Sequence, residues 1–589
     1  MIGRLVLVSR LLMRDLRRRR TESLLLLTAI TAATATLTLG IASDTVIDDA
    51  YAQTRAATAG PDVVARTQGY GPGALEALDQ VATADGVTGH SGPFPSVFLT
   101  LSAHGKTVNV VVEGRDRGPA AIDRPAVTGG TWIRPGGAVV ERAFADALNL
   151  RVGDRVAIGH HELRVDGIAI TAARPPFPNA GWHQPGTVQG ESGGLIWVDR
   201  EEIGTLADGQ PPSYSMNLTV TGPSVLETLP RPDPFRVDYF SARFFSDRIQ
   251  RVAEPVRQAL LIGSWLLAGL AVAGVAGIVA GRVAGRRRRV GLLKAVGAGP
   301  GTVAAVHLAE YLLVSLAAAG LGLLIGWFAA PSLTAPGAGV VGTVGIHPPP
   351  LRAAIAALAL ALAITIAATL APVVRAASTS TLHALADAPA PPRRRRWRVR
   401  LSRRLPTPVL LGVRINARRP RRARLVTINT FLTTTGLAAV LVVHAQSPEL
   451  DHLGGTVMAN PVEARMHQAL LVVAVVLCGL ALLNAVVSTW SAVLDARQPL
   501  AVARTLGVTP QQAGLGMAVA QLLPAVPGVV AGLLAGQVLY LLNTEGAVRY
   551  PSSASLVCTG LGVLLVLAGL TAVPAVAAAR RPVADSLTR

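Results

Sequence analysis

Lysine is almost missing from this 589-residue chain: Lys106 and Lys294 are the only two, and arginine carries nearly all the positive charge. Aromatic residues are scarce too, at 4%, although half of all residues are hydrophobic. The apolar excess therefore comes from Ala, Val, Leu and Gly, which build membrane helices whose backbones approach closely. A mean hydropathy of +0.44 excludes an ordinary soluble protein of this size. Cysteine is limited to Cys478 and Cys558, both inside apolar runs. The long polar segment after the first run has none, which excludes a disulfide framework there. The pattern G-x-x-x-x-G-K-[ST] occurs nowhere, which excludes ATP binding by a P-loop. The formal net charge of +20 would suit nucleic acid. The arginines flank apolar runs, however, so they are read as topology signals and anionic-lipid contacts, with no nucleic-acid partner.

Eight stretches have the ~20 apolar residues that a ~30 Å hydrocarbon layer demands. They are 23–43, 258–281, 303–328, 351–374, 425–445, 468–494, 513–541 and 554–578. Arg4, Arg10, Arg14 and Arg17 to Arg20 precede the first, which places the N-terminus in the cytoplasm. Segments 282–302, 375–424 and 495–512 and the C-terminus are also arginine-bearing, whereas loop 329–350 has no Lys, Arg, Asp or Glu. The expectation is a multi-pass protein of the cell membrane with both termini cytoplasmic. The apolar stretch from Leu24 to Ala42 exceeds the usual core of a cleaved signal peptide, and is read as a retained span.

The chain resembles itself at fixed offsets. At 404, Arg10, Arg14, Arg17, Arg18 and Arg20 fall on Arg414, Arg418, Arg421, Arg422 and Arg424. At 210, Gly269-Leu270-Ala271 falls on Gly479-Leu480-Ala481, Arg287 on Arg497, Lys294 on Arg504, Gly297 on Gly507, and Pro300 on Pro510. Gly322 and Gly326 fall on Gly532 and Gly536, and at 202 Pro372 falls on Pro574. The expected fold is an α-helical polytopic membrane protein: eight transmembrane helices in two parallel four-helix repeats, with one inserted mixed α/β extracytoplasmic domain. The change of offset from 404 to 210 implies a 194-residue insertion in the first repeat.

The expected parts are a cytoplasmic amphipathic elbow helix over 1–22, a first span over 23–43, and the outer domain over 44–256. Spans two to four follow over 257–376, a Pro/Arg-rich linker over 377–412, and an elbow with span five over 413–445. A short outer loop over 446–467, spans six to eight over 468–581 and a tail over 582–589 complete the chain. Within the outer domain, β-rich runs stand at 62–66, 96–101, 107–113, 138–141, 163–171, 195–198 and 214–221, and helices at 73–84 and 141–149. A helix from Ser241 is expected to run directly into span two.

Two patterns in that domain invite chemistry. Gly190-Glu191-Ser192-Gly193-Gly194 fits G-x-S-x-G, but a nucleophile elbow needs a strand before it and a helix after it. Here a β-like run follows, so a glycine-rich loop is the better reading. His160-His161-Glu162 lacks the H-E-x-x-H spacing, so it is read as a turn entering a strand. No catalytic residue, cofactor or metal is assigned.

The stretch Arg286-Arg-Arg-Arg-Val-Gly-Leu-Leu-Lys-Ala-Val-Gly-Ala-Gly-Pro300, followed by His307-Leu-Ala-Glu310 and Gly320-Leu-Gly322, resembles the FtsX-like permease domain of ABC transporters. Leu500-Ala-Val-Ala-Arg-Thr-Leu-Gly-Val-Thr-Pro510 is a weaker second copy, with Ala520 where Glu310 would repeat. In the outer domain, Val139-Val140-Glu141-Arg142-Ala143-Phe144-Ala145 and Leu150 to Val156 resemble MacB-like periplasmic cores. The resemblance implies a permease subunit, not itself an enzyme, whose helices pass the motion of a separate ABC ATPase to an outer domain. Two ATPase copies per chain are expected, with the bilayer and an extracytoplasmic protein or substrate as further partners. Export or extraction of a peptide, lipid or lipoprotein is one outcome; regulation of a cell-wall hydrolase without cargo is the other.

Arg287, Lys294, Gly297, Pro300, Arg497, Arg504, Gly507 and Pro510 are the expected ATPase-coupling residues, with short helices ending near Gly297 and Gly507. Gly322, Gly326, Gly528, Gly532 and Gly536 form small-residue faces for helix packing. Glu310, one turn from His307, is read as an intramembrane polar contact.

Overall fold

The computed structural model describes residues 20–68, 72–181, 193–232, 236–285, 300–334, 349–378, 405–418, 420–445, 450–452, 456–459, 468, 470–486, 507–542 and 550–579. Among them, seven helices are long and apolar enough to cross a membrane. They are α1 (Arg20–Ala57), α6 (Ala242–Gly285), α7 (Pro300–Thr334), α8 (Leu351–Ser378), α10 (Pro420–Ala445), α12 (Pro510–Leu541) and α13 (Ser553–Ala579). At the position expected for the sixth span stands a shorter apolar helix, α11 (Leu470–Val486). The chain is a multi-pass membrane protein with an inserted outer domain.

Two helices overrun the expected spans. The first, α1, has 38 residues, about 57 Å at 1.5 Å each. Its apolar stretch ends near Ala42, but Val46, Ile47, Ala50 and Tyr51 continue a buried stripe at helical spacing, so the helix does not stop at the membrane surface. The second, α6, has 44 residues, about 66 Å, and joins the outer domain to span two without a break. Helix α9 (Thr407–Arg418) takes up the last six residues of the linker expected to end at 412. It is held by small residues: a Cβ on Gly412 would stand 2.7 Å from Val519, and one on Gly516 2.6 Å from Leu411.

The outer domain is built on ten strands: β1 (Val63–Thr67), β2 (Val87–Ala103), β3 (Lys106–Arg115), β4 (Ala126–Gly130), β5 (Gly137–Glu141), β6 (Arg155–Ile158), β7 (His161–Ile170), β8 (Gly194–Asp199), β9 (Ser213–Val220) and β10 (Val237–Ser241). They pair in the order β10-β1-β9-β2-β3-β8-β5-β7-β4, with β6 bridging β2 and β7. The β3–β8 and β5–β7 pairs are parallel and the others antiparallel. All seven expected β runs fall on strands; β4, β6 and β10 are additional. Short helices α2 (Pro72–Ala82), α3 (Arg142–Leu148), α4 (Ile203–Leu206) and α5 (Val225–Thr228) cover the sheet. Helix α3 is capped by Glu141, whose carboxylate accepts from the amides of Ala143 at 2.8 Å and Phe144 at 3.0 Å. It ends at Asn149 in the left-handed region, φ 55°, which a short polar side chain tolerates. Phe144 seats this helix in a core with Val110, Val140, Leu148 and Ile196.

Candidate functional site

The outer domain joins the membrane part where α1 and α6 meet the sheet. Ile47, Ala50 and Tyr51 of α1 and Phe245 and Ile249 of α6 share one apolar cluster with Val64, Ala172 and Phe240 of the sheet domain. Asp48 of α1 accepts from Ser246 of α6 at 3.2 Å, and also from Gln250. Tyr51 donates its hydroxyl to the carbonyl of Ala172 at 3.1 Å. The end of α1 is tied by backbone: Asp123 N–H donates to Ala59 O at 2.8 Å, and Arg124 N–H to Thr58 O at 2.6 Å.

Asp123 also belongs to a buried ionic cluster. Arg115 donates Nε to Glu113 at 2.6 Å and pairs with Asp123. Arg174 donates Nε to the second oxygen of Glu113 at 2.9 Å. Asn217 and Thr171 donate to Asp123, at 3.2 Å and 2.5 Å. The Arg115 guanidinium lies 3.7 Å over the ring of Phe94. All four charged groups are under 5% exposed and their charges balance, so removing any one strands a buried partner. Burial works to raise the Glu113 carboxyl, but Arg115 and Arg174 outweigh it and hold the group at about 2. The cluster is a structural keystone under the base of α1: each carboxylate is paired with arginine.

In the membrane part, α7 packs on α1 and α12 on α10 through the same chemistry. A Cβ on Gly322 would collide with Thr34, and one on Gly326 would stand 2.5 Å from Ala35 O and 2.7 Å from Thr38. In the second pair, Gly532 faces Thr434, and a Cβ on Gly536 would stand 2.6 Å from both Thr435 O and Ala438. Gly528 is held equally close by Thr430. The threonine hydroxyls cross the gap: Thr34 donates to Ala318 O at 3.5 Å, and Thr434 to Gly528 O at 3.4 Å. All these contacts correspond at offsets of 210 on one helix and 400 on the other. The offset of 400 between these contacts differs by one helical turn from the 404 read from the arginines. An arginine that marks a membrane boundary works as well one turn away, whereas a glycine facing a threonine does not.

Of the eight expected coupling residues, Arg287, Lys294, Gly297, Arg497 and Arg504 lie outside the described residues. Gly507 has φ +95°, the left-handed region that favours glycine. Thr509 then caps α12: its hydroxyl accepts from Gln512 N at 3.3 Å and Gln512 reaches back to Thr509 N at 3.2 Å. Pro510 stands at the first turn, where its missing N–H costs nothing. Pro300 opens α7 in the corresponding place. Glu310 sits on α7, with its side chain outside the description. Ser192 also falls outside it, while His161 and Glu162 open β7 after a turn at Gly159-His160. Among the described residues, no group of His, Cys, Asp or Glu is placed to hold a metal ion.

The FtsX-like permease C-terminal family matches residues 261–381 and, separately, 471–583. The chain carries two FtsX-like permease domains. The two matches fall on α6 to α8 and on α11 to α13, leaving the outer domain between α1 and the first of them. Among solved structures, the extracellular domain of the noncanonic ABC-type transporter YknZ from Gram-positive bacteria is similar to 31% of this chain over 94% of its own, at 13% identity and a TM-score of 0.20. That score is too low to decide fold or function. No curated protein matches the chain. Permeases of this family work with ABC ATPase subunits.

Proposed function

We propose that this permease has eight spans in two four-helix repeats, both termini in the cytoplasm, and transmits the motion of a separate ATPase to its outer domain. Helix α6 carries the reading: one unbroken helix is a membrane span along part of its length and the base of the outer domain at the other end. Its last described residue, Gly285, directly precedes the arginine-rich segment 286–302 assigned to the ATPase. The double family match and the equal offsets of the glycine–threonine contacts support the repeat. Arg287, Lys294, Gly297 and Pro300 in one half, and Arg497, Arg504, Gly507 and Pro510 in the other, form two ATPase grips. One chain then binds two ATPase copies. The cargo we assign is a peptide, lipid or lipoprotein; a scaffold that drives a cell-wall hydrolase would use the same rod.

Pulldown of the full chain from membranes, with mass spectrometry and light-scattering mass determination, tests this. One permease with two ATPases is expected. Charge reversal in either grip (Arg287→Glu with Lys294→Glu, or Arg497→Glu with Arg504→Glu) should release ATPase while leaving the melting temperature of the permease unchanged. Two permease chains per ATPase dimer, or full ATPase retention by both variants, would refute the reading. What the outer domain retains, a translocated molecule or an enzyme, separates the two outcomes.

A further inference from the structure

The two halves of the membrane part differ in how their helices fill space. A cavity of about 470 Å³ opens between α10, α11, α12 and α13. Its lining maps onto the first half at the offsets already given, 400, 210 and 202, and there the same positions form solid core. Gln521 stands where the first half has the buried Tyr311, Thr430 where it has Ile30, and Gly562 where it has Leu360. Each exchange removes volume from the second half. Gly562 shows the result directly: a Cβ built on it meets nothing within 4 Å. Exposure follows suit: Ile364 is 2% exposed and its counterpart Val566 54%.

The cavity is mostly aliphatic, but Asn429, where the first half has Ala29, and Gln521 put two carboxamides into it. Asn429 Oδ1 is buried without a hydrogen-bond partner among the described residues. Such a group in hydrocarbon is costly unless a ligand satisfies it, and exchanging the amide ends offers either a donor or an acceptor. The volume lies within the ~300–1,000 Å³ of small-molecule sites, and an unfilled void of that size in packed helices would be strongly destabilising. Val566 and Leu482 on its rim are exposed to the bilayer, so lipid has a sideways entrance. Arg421 and Arg424, exposed at the start of α10, lie ~12 and ~8 Å along the helix from Asn429.

The geometry points to a binding site for one anionic phospholipid, present in the second half alone. One acyl chain fills the cavity, its ester carbonyl accepts from the carboxamides of Asn429 and Gln521, and its phosphate meets Arg421 and Arg424. The site does not depend on the ATPase arrangement proposed above.

The test is photolabelling of the full chain, reconstituted in vesicles that contain phosphatidylglycerol with a diazirine on one acyl chain. Cross-links should map to 559–570 and not to the corresponding 357–368. Gln521→Tyr with Gly562→Leu installs the first-half residues, and should lower labelling by at least about fivefold as the formed pocket is lost, with an unchanged or raised melting temperature. Equal labelling of both halves of the wild-type chain overturns the proposal. So does undiminished labelling of a folded double variant. If that variant does not fold, the comparison of the two halves decides alone. Diazirine-phosphatidylcholine should label several-fold less than the phosphatidylglycerol probe because the arginines favour anionic headgroups. A free diazirine palmitate that labels where neither phospholipid does refutes the phospholipid assignment.

Discussion

Gly326→Ala should weaken the membrane part, and Gly320→Ala, six residues earlier on the same helix, should not. The new methyl at 326 would lie 2.5 Å from Ala35 O, 2.7 Å from Thr38 Cβ and 3.0 Å from Leu39 N. Two of these atoms are α1 backbone and cannot rotate away. Ordinary contact returns only if α1 and α7 part by roughly 0.9 Å, a gap that forfeits a quarter to a half of each dispersion contact along the interface. Overpacking of this kind costs about 1–3 kcal/mol. At Gly320, which is exposed, a methyl meets nothing within 4 Å. The substitution there can gain up to ~1 kcal/mol of helix propensity. The two variants thus move in opposite directions. Thermal denaturation of the full chain in detergent, at one scan rate because unfolding is irreversible in such proteins, gives the comparison. A Gly326→Ala protein that melts at or above Gly320→Ala would refute the close packing of α1 on α7.

Gly536→Ala should cost about as much as Gly326→Ala, and the double variant should show the sum to within ~0.5 kcal/mol, because the sites lie in separate interfaces. Glu113 is held at about 2, below its unfolded 4.5, so its contribution to stability is present above pH 4.5 and is lost as pH falls towards 2. That shift corresponds to roughly 3 kcal/mol, and Glu113→Gln should both destabilise the domain at pH 7 and flatten its acid unfolding curve. Thr509→Ala removes one arm of the capping box and should cost about 1 kcal/mol, seen as faster amide hydrogen exchange in the first turn of α12. Asn149→Gly should leave the outer domain's melting temperature nearly unchanged, whereas Asn149→Val should lower it, because a β-branched residue resists φ 55° most strongly.

Much of this architecture is legible in the sequence, for identifiable reasons. Arginine placement and uninterrupted Ala/Leu/Val runs locate the spans, because hydrocarbon tolerates little else. Alternation in His161–Ile170 marks a strand with one buried face, and the valine run of Lys106–Arg115 one buried on both. Strand β4 was hidden because it is exposed and glycine-bearing, β6 because it has four residues, and β10 because it runs straight into α6. The overrun of α1 was hidden by Asp44, Asp48 and Asp49, which break the apolar run after 43 although Ile47, Ala50 and Tyr51 carry the buried stripe past them. The offset of 400 between the glycine–threonine contacts needed the structure, since charge at a membrane edge is fixed only to within a turn. The cavity escaped hydropathy altogether. Thr430, Gln521 and Gly562 sit one at a time among apolar neighbours, and only their alignment with Ile30, Tyr311 and Leu360 shows that volume is missing.

The paired helices α1 and α6 set what the outer domain can do. A body on one stalk can swivel; a body fixed to two stalks side by side cannot. If both legs lean together, the domain is carried sideways with its orientation kept. If one leg slides along the other, the domain tips. Packed helices lie ~8–10 Å apart, so each ångström of sliding at the membrane turns the head by about 6°. A lean of only ~5° in a 66 Å leg carries its far end ~6 Å. The joint therefore behaves as a parallelogram linkage, in which the head's translation and its pitch answer to two different inputs.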